Sequence, residues 1–417
     1  MDVSGEIREA LELAKKSKSS FFITGKAGTG KSTFVQKLKE EADKNMALLA
    51  PTGVAAVNIK GQTIHSFFGF KPGVTEDNLK GNYRKKELYK RLETLVIDEI
   101  SMVRADLLDC VGKFLRITRR SGRPFGGVQV IMVGDLYQLP PIVRRDERNF
   151  FRTRYETPYF FSSKEFQNLS PETIRFRQVH RQTEPEFVSM LNKIRRGDLD
   201  SRDLEVLNRN VVADFDFEEG GIFLTTTNRK ADDINRNQLA NLSGDEFSFS
   251  GKIKGSFPES HLPTAKKLSL KVGAKVMLLS NDPEGRWING DVGRVIEIKK
   301  EEPMLRVELD SGRVVKVSEN KWDRIKYDYD SEKDTVRSEE VGSFSQLPIR
   351  LSWAVTIHKA QGKTFDNVTV DFQNGTFSHG QAYVALSRCT NLKGLKLKRP
   401  IRKSDIIVDR RVVNFLN

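Results

Sequence analysis

Cysteine is nearly absent from this sequence: Cys110 and Cys389 are the only two in 417 residues, and they lie far apart. Such a pair fits neither a disulfide framework nor a zinc spacing, so a reducing interior is the natural compartment. Histidine is scarce too, at five residues, and none forms an H-E-x-x-H pair or another metal cluster. Structural zinc is therefore not expected. No apolar stretch approaches the roughly 20 residues needed to cross a bilayer, which argues against a membrane protein. The opening run MDVSGEIREALELAKK lacks an apolar signal core, and Glu6, Glu9 and Glu12 argue against an acid-poor mitochondrial presequence. The expectation is a cytoplasmic protein without a targeting segment.

What the chain has in excess is positive charge. Seventy Lys and Arg face 56 Asp and Glu, a net +14. A field of that sign attracts polyanions, whether nucleic acid, anionic lipid or acidic protein. Charged residues are 30% and hydrophobic ones 38% of the chain, an ordinary globular composition. At roughly 150 residues per domain the length suggests about three domains, and it can bury more than one core without staples.

Ile7, Ala10, Leu11 and Ala14 recur at helical spacing and predict an opening amphipathic helix. Short apolar runs follow: Phe21-Phe22-Ile23, Ala47 to Ala50, Leu95-Val96-Ile97 and Val128 to Val133. Helical patterns separate them, for example Leu107, Leu108, Val111, Phe114 and Leu115, so a parallel sheet is expected. The pattern restarts after a connection near residue 170, with Ile222-Phe223-Leu224, Ala354-Val355, Val368-Thr369-Val370 and a helix around Tyr383 to Leu386. Between these, residues 268–317 alternate apolar and polar, as in Leu268, Leu270 and Val272, or Leu305, Val307 and Leu309. Asp310-Ser311-Gly312 reads as a hairpin turn inside a small β module inserted into the second unit. Two basic stretches, 71–91 with Tyr83-Arg84-Lys85-Lys86 and 144–157, read either as solvated loops or as nucleic-acid-facing surfaces with interleaved aromatics.

Gly25 to Ser32, GKAGTGKS, completes G-x-x-x-x-G-K-[ST] between a strand and a helix pattern. Gly25, Ala27, Gly28, Thr29 and Gly30 would wrap phosphates with backbone N–H groups, and Lys31, Ser32 and Thr33 open the helix behind them. Lys31 would reach the β- and γ-phosphates, and Ser32 would ligate Mg²⁺. The strand Leu95-Val96-Ile97 then delivers Asp98 and Glu99. Asp98 would hold Mg²⁺ in part through water, and Glu99 would polarise the attacking water. Gln138, just past Val133-Gly134-Asp135, either senses a γ-phosphate or sits in a turn held by Pro140 and Pro141.

Taken together, these segments resemble superfamily-one helicases of the 5′→3′ branch, and the run from Asp98 to Pro141 resembles the Pif family in particular. Residues 352–364, SWAVTIHKAQGKT, are similar to helicase motif V, and Tyr383 to Arg388 to motif VI. The resemblance covers about residues 20 to 395. It implies an α/β fold of two RecA-like motor domains with parallel sheets, a Src-homology-three-like β insertion and a short wedge. The implied division is 1–64 and 82–170 for the first motor, 65–81 for the wedge, 171–250 and 345–417 for the second motor, and 251–344 for the β-barrel insertion.

The resemblance also implies site roles. Arg388 would be the arginine finger, Arg181 a second γ-phosphate arginine, and Gly362 a backbone contact to that phosphate. Single-stranded DNA would run over Pro51, Thr52, Gly53 and Val54, over His65, Phe67 and Phe68, and over Thr356, His358 and Lys359. The two Phe rings either stack on bases or pack in the core. The implied activity is ATP-driven, Mg²⁺-dependent 5′→3′ DNA unwinding by a monomer acting on single-stranded DNA and its junctions with duplex, with G-quadruplexes and RNA–DNA hybrids as further substrates. Relatives carry an adenine-reading glutamine before the P-loop, whereas residues 1–30 contain none, which puts strict ATP preference in question. The nearer alternative is a RecD-type subunit of a nuclease complex. The more distant one is a P-loop ATPase switch acting on proteins, which predicts no stimulation by single-stranded DNA.

Overall fold

The computed structural model describes residues 4–71, 73–77, 79, 85–178, 184–212, 217, 221–330 and 335–417. Its first α/β unit is a six-stranded sheet. The strands run in the order Gln62–Thr63, Met46–Ala50, Thr94–Ile97, Gln129–Gly134, Phe21–Gly25 and Glu172–Phe176. All pairings are parallel. The central strands are apolar and buried on both faces, as a sheet covered by helices on each side requires. Phe21, Ile23, Leu48, Val96, Ile131 and Val133 pack on one face against Ile7, Leu11, Phe34, Val35 and Leu38. Phe22, Leu49 and Ile97 point the other way, into a cluster with Phe67, Phe68, Tyr89 and Phe114. The opening helix spans Gly5–Lys16 and buries the four residues its spacing marked.

Register determines where the chemistry gathers. Thr24 pairs with Gly134, and Ile97 with Met132. Parallel strands in near-common register therefore end together, with Gly25, Asp98 and Asp135 following on one rim. The chain also leaves Phe21–Gly25 for a strand three places away in the sheet, so this rim is a topological switch point where ligands bind.

The second unit has a four-stranded parallel sheet in the order Ala354–Thr356, Ile222–Thr225, Val368–Asp371 and Leu395–Leu397. Its helices Pro185–Arg196 and Gln381–Leu386 contribute Phe187, Ile194, Tyr383 and Leu386 to the same buried cluster as Leu136, Tyr137 and Leu139 of the first unit. The inserted module is a five-stranded antiparallel sheet centred on Val292–Lys299. The expected hairpin joins Met304–Leu309 to Val314–Ser318. Leu268 and Leu270 are buried as the alternation predicts, but Val272 lies past the end of its strand and is half exposed.

Three boundaries differ from expectation. The first sheet extends to Phe176, because Glu172–Phe176 pairs beside the P-loop strand. The module recruits Phe247–Ser250 and Ile349–Leu351, so it is wider than 251–344. The terminal helix Arg410–Leu416 docks on the first unit, where Phe415 stacks on Phe161 at 4.3 Å and meets Phe22, Phe160 and Phe166. Periodicity finds elements but does not name their pairing partners.

A long hairpin, Asn320–Asp330 with Thr335–Gln346, carries the module back onto the first unit. The Tyr327 hydroxyl accepts from Leu48 N–H at 3.1 Å, its N–H donates to Gln62 Oε1 at 3.2 Å, and its ring meets Phe67 edge-on. Of the basic stretches, 144–157 folds its aromatics inward: Phe151 and Tyr155 pack with Ala105, and Arg104 and Arg154 lie over Phe151 and Phe150. Lys86–Arg91 is helical, while Tyr83 and Arg84 lie outside the described residues.

Candidate nucleotide site and nucleic-acid track

The P-loop leaves its strand at Gly25 and enters the helix Lys31–Glu41 through Gly30, whose φ of +86° is left-handed. Glycine suits that backbone, and a side chain at Gly30 would also push aside the Ile7 terminal methyl, 2.6 Å from where its Cβ would sit. Lys31 Nζ donates to the carbonyls of Gly25 and Lys26, both at 2.8 Å, which holds it over the mouth of the loop. Thr29 Oγ1 donates to Lys26 O at 3.0 Å. The Ala27 N–H donates to the hydroxyl of Tyr383, which comes from the second unit, at 3.1 Å.

Asp98 and Glu99 follow the strand Thr94–Ile97 on the same rim. Asp98 Oδ1 accepts the Glu99 N–H at 2.9 Å, and Glu99 itself sits at φ +51°. That backbone is costly for a non-glycine residue, by about 1–3 kcal/mol, and such strain clusters at functional sites. Burial raises the affinity of both carboxyls for protons. For Glu99 burial and then the like charge of Asp98 raise the pKa to about 7, while Lys31 and Arg388 pull the other way. A half-buried acid pair beside a phosphate loop, with the Ser32 hydroxyl as a further hard oxygen donor, suits a divalent cation such as Mg²⁺ that completes its shell with phosphate and water. Among the described residues no group of three or more His, Cys, Asp or Glu is placed to hold a metal ion.

The segment after the third rim strand is cross-braced. Asp135 accepts from Tyr137 N–H at 3.1 Å, from Gln138 Nε2 at 3.3 Å and from Arg195 Nη2 at 3.3 Å. The Arg195 guanidinium lies 4.1 Å from the centre of the Tyr137 ring. His379 Nδ1 accepts Asp409 N–H, so Nε2 carries the proton and donates to Leu136 O, both at 2.8 Å. Gly380 comes so close that a Cβ there would lie 2.3 Å from Tyr137 O. The helix Gln381–Leu386 is thereby fixed against the first unit, with Arg388 just beyond its end.

Arg388 is fully buried. Its Nε donates to Val384 O at 2.7 Å, Nη1 to Lys363 O at 3.0 Å and Nη2 to Ser387 Oγ at 2.8 Å. Gln361, next to Gly362, donates from Nε2 to Glu99 Oε2 at 3.3 Å. Lys31, Asp98, Glu99, Gln138 and Arg388 are thus gathered at one junction between the units, and Gln138 is itself nearly buried. Arg181 lies outside the described residues. Four residues escaped sequence reasoning. Tyr383 and Gln361 lay inside segments already singled out, but nothing marked them as reaching across. His379 had no motif around it, and Arg195 looked like one more cation on an amphipathic helix.

Along the expected DNA track, Thr52 Oγ1 caps the short helix Gly53–Asn58 by accepting Ala55 N–H at 3.3 Å. Pro51 is half-buried and Val54 exposed, while Gly53 lies against the His261 ring of the module. His65 is half-buried, and burial followed by nearby Arg104 disfavours its protonation. Phe67 and Phe68 do not present faces to solvent: at 2% and 1% exposure they pack edge-to-face with each other, and Tyr89 meets Phe67 edge-on and stacks on Phe68. Core packing replaces base stacking as their role, because the short helix Ile64–Phe68 turns both rings toward the sheet. Thr356 is buried, with its Oγ1 accepting Lys359 N–H at 3.4 Å, and His358 and Lys359 are exposed.

Comparison with known proteins agrees with this geometry. The family model for PIF1-like helicases matches residues 3–205. Over its whole length the chain is 35% identical to the ATP-dependent DNA helicase Pif1 of Bdellovibrio bacteriovorus and covers 92% of that protein. It is 34% identical to the human ATP-dependent DNA helicase PIF1 over 91% of the chain, spanning 58% of that longer protein. Unliganded Pif1 from Bacteroides superposes with a TM-score of 0.92 at 37% identity, covering all of this chain and 96% of the other. The Bacteroides protein bound to single-stranded DNA gives 0.70 at the same identity. The fold is accordingly two RecA-like units, arranged more like the unliganded relative than the DNA-bound one.

Proposed function

The chain belongs to the PIF1-like helicase family and is an ATP-dependent DNA helicase, and from that premise we propose that it tracks 5′→3′ along single-stranded DNA and opens the duplex ahead. In this reading the loop Gly25 to Gly30 holds the nucleotide phosphates by backbone N–H groups, with Thr33 and Gly362 adjoining. Lys31 leaves the carbonyls of Gly25 and Lys26 for the β- and γ-phosphates. Mg²⁺ held by Ser32 and, partly through water, by Asp98 would neutralise charge on the phosphates. Glu99, beside Asp98 at the end of the strand Thr94–Ile97, accepts the proton of the attacking water. Gln138 orients the water, and Arg388 with Arg181 spreads positive charge over the transferring group. An arginine in that role is worth about 10³–10⁵ in rate in other phosphoryl-transfer systems.

The observation that carries the reading is that the second unit reaches the acid pair and the P-loop directly, through Gln361 on Glu99 and Tyr383 on Ala27. Opening and closing of that junction would then convert turnover into relative motion of the two units. DNA would be gripped by Pro51, Thr52, Gly53, Val54 and His65 on the first motor and by Thr356, His358 and Lys359 on the second. Alternating grip moves the strand, and the segment from 65 to 81 divides the duplex. Because force is applied to the tracked strand, G-quadruplexes and RNA–DNA hybrids ahead of the motor are substrates of the same stroke. We place the enzyme in the cytoplasm as a monomer. We divide it as a first motor through residue 176 with the terminal helix docked on it, a β module of about 247–351, and a second motor from the remainder.

The test is unwinding of matched duplexes bearing either a 5′ or a 3′ single-stranded tail, with ATP and Mg²⁺. Efficient unwinding from the 5′ tail is expected, and binding should weaken steeply with salt as phosphate contacts release counterions. Unwinding from the 3′ tail alone overturns the polarity.

A further inference from the structure

The turn after the strand Ala354–Thr356 has two ends with different neighbours. Its first end carries Thr356, His358 and Lys359, the second motor's share of the DNA grip. Its other end carries Gln361, whose amide Nε2 donates to Glu99 Oε2 at 3.3 Å, across the junction between units. Between them the backbone is bound to itself. Ala360 N–H donates to Thr356 O at 3.0 Å, Gln361 N–H to His358 O at 3.2 Å and Lys363 N–H to Ala360 O at 3.1 Å. The start of the turn is tied to the second sheet by Ile357 N–H to Thr225 O at 3.0 Å. Further along, the Lys363 carbonyl accepts Arg388 Nη1 at 3.0 Å. The turn is thus one hydrogen-bonded piece that joins His358 and Lys359 to Gln361 and, through the Lys363 carbonyl, to Arg388.

We infer that Gln361 is a positioning residue that aims the Glu99 carboxylate according to where the DNA-gripping turn sits. It does not touch the phosphates. Its amide fixes one oxygen of a carboxylate whose backbone is already held in a left-handed conformation, so the angle of the remaining oxygen toward water follows the turn. Loading of single-stranded DNA on His358 and Lys359 moves the turn, and Gln361 carries that movement to the water-activating group. This deepens the function proposed above and rests on it.

The experiment measures steady-state ATP hydrolysis by the full chain with and without an oligothymidine strand, in the wild type, Gln361→Ala and Gln361→Glu. Gln361→Ala removes the donor. Gln361→Glu keeps length and volume but sets a carboxylate against Glu99. Both should lower the ratio of DNA-stimulated to basal kcat by about tenfold, the scale of one lost charge-assisted hydrogen bond at a reacting group. KM for ATP and the dissociation constant for the strand should each stay within about twofold, since uniform binding is not touched. A wild-type ratio in either variant overturns the inference, and so does a fall that appears wholly in KM or in DNA affinity. A wild type that shows no stimulation refutes the proposed function, and the coupling with it. A stimulated wild type with an unchanged Gln361→Ala ratio refutes the coupling alone.

Discussion

Replacing Arg195 with methionine is the sharpest probe of how the two units are held together. Arg195 stands on the helix Pro185–Arg196, and its partner Asp135 follows the strand Gln129–Gly134 of the first sheet. The Asp135 side chain has no solvent exposure and that of Arg195 only 13%, so neither charge is hydrated to any extent. Breaking a buried pair by deleting one partner costs about 3–5 kcal/mol, because the other charge stays behind uncompensated. Part of the charge of Asp135 remains satisfied by Tyr137 N–H and the Gln138 amide, which pulls the figure toward the lower end. The guanidinium over Tyr137 adds about 2 kcal/mol when desolvated, which pulls it back up. We expect a loss of about 4 kcal/mol. With a urea m-value of about 3 kcal/mol/M, that lowers the midpoint by about 1.3 M. Arg195→Lys keeps a charge but not a planar fork and should fall between the two. Arg195→Met with Asp135→Asn should recover most of the loss, since no buried charge is then stranded. A single Arg195→Met variant whose midpoint stays within about 0.3 M of wild type, roughly 1 kcal/mol at that slope, would refute the reasoning.

Three further outcomes follow from the same geometry. Lys31→Ala and Glu99→Gln should each abolish ATP turnover, with Glu99→Gln still binding nucleotide in a fluorescence titration; hydrolysis at the wild-type rate in either would sink the site assignment. Phe67→Ala should destabilise the fold by about 3–5 kcal/mol, as truncating a buried aromatic does, while the affinity of the folded protein for single-stranded DNA stays within about twofold; a tenfold loss of affinity with unchanged stability would return the ring to the DNA. Burial depresses the pKa of His379 from its ordinary 6.5, with the hydrogen bond to Leu136 and the nearby charge of Asp409 opposing. An unfolded chain then binds the proton more readily, so stability should decline as pH falls below about 6.5, down to the folded-state pKa. His379→Gln should flatten that limb of a pH-dependent melting curve, and an unflattened one would show that other groups cause it.

Much of the arrangement was legible because backbone chemistry is local. GKAGTGKS between strand and helix, and an apolar run ending in Asp98 and Glu99, specify their geometry within a few residues. The opening helix was legible for the same reason, from the spacing of Ile7, Ala10, Leu11 and Ala14. Pairing was not. Nothing in Glu172–Phe176, with its mostly exposed pattern, says that it lies beside Phe21–Gly25, and nothing in Phe415 says that it stacks on Phe161. Phe67 and Phe68 show the limit on the site side. An aromatic pair beside a polar turn reads alike as a stacking platform or as core until helix phase and sheet position decide between them. Gln361 and Arg195 are harder still, because their importance lies in a partner far along the chain.

The hairpin that seats Tyr327 on the first unit also has a consequence for how the molecule is made. The Leu48 amide and the Tyr327 hydroxyl that accepts its proton are 279 positions apart. A ribosome adding about 5–20 residues per second needs tens of seconds to bridge that gap. Throughout that interval the edge of the first sheet near Met46–Ala50, and the Phe67 ring behind it, lack the strand that will cover them. Contacts of such sequence separation also form late, since the loop they close must first be ordered. Until the hairpin emerges, the nascent first motor is expected to leave that surface open to aggregation. Growth temperature should influence the yield of soluble enzyme more than the stability of the finished fold would suggest.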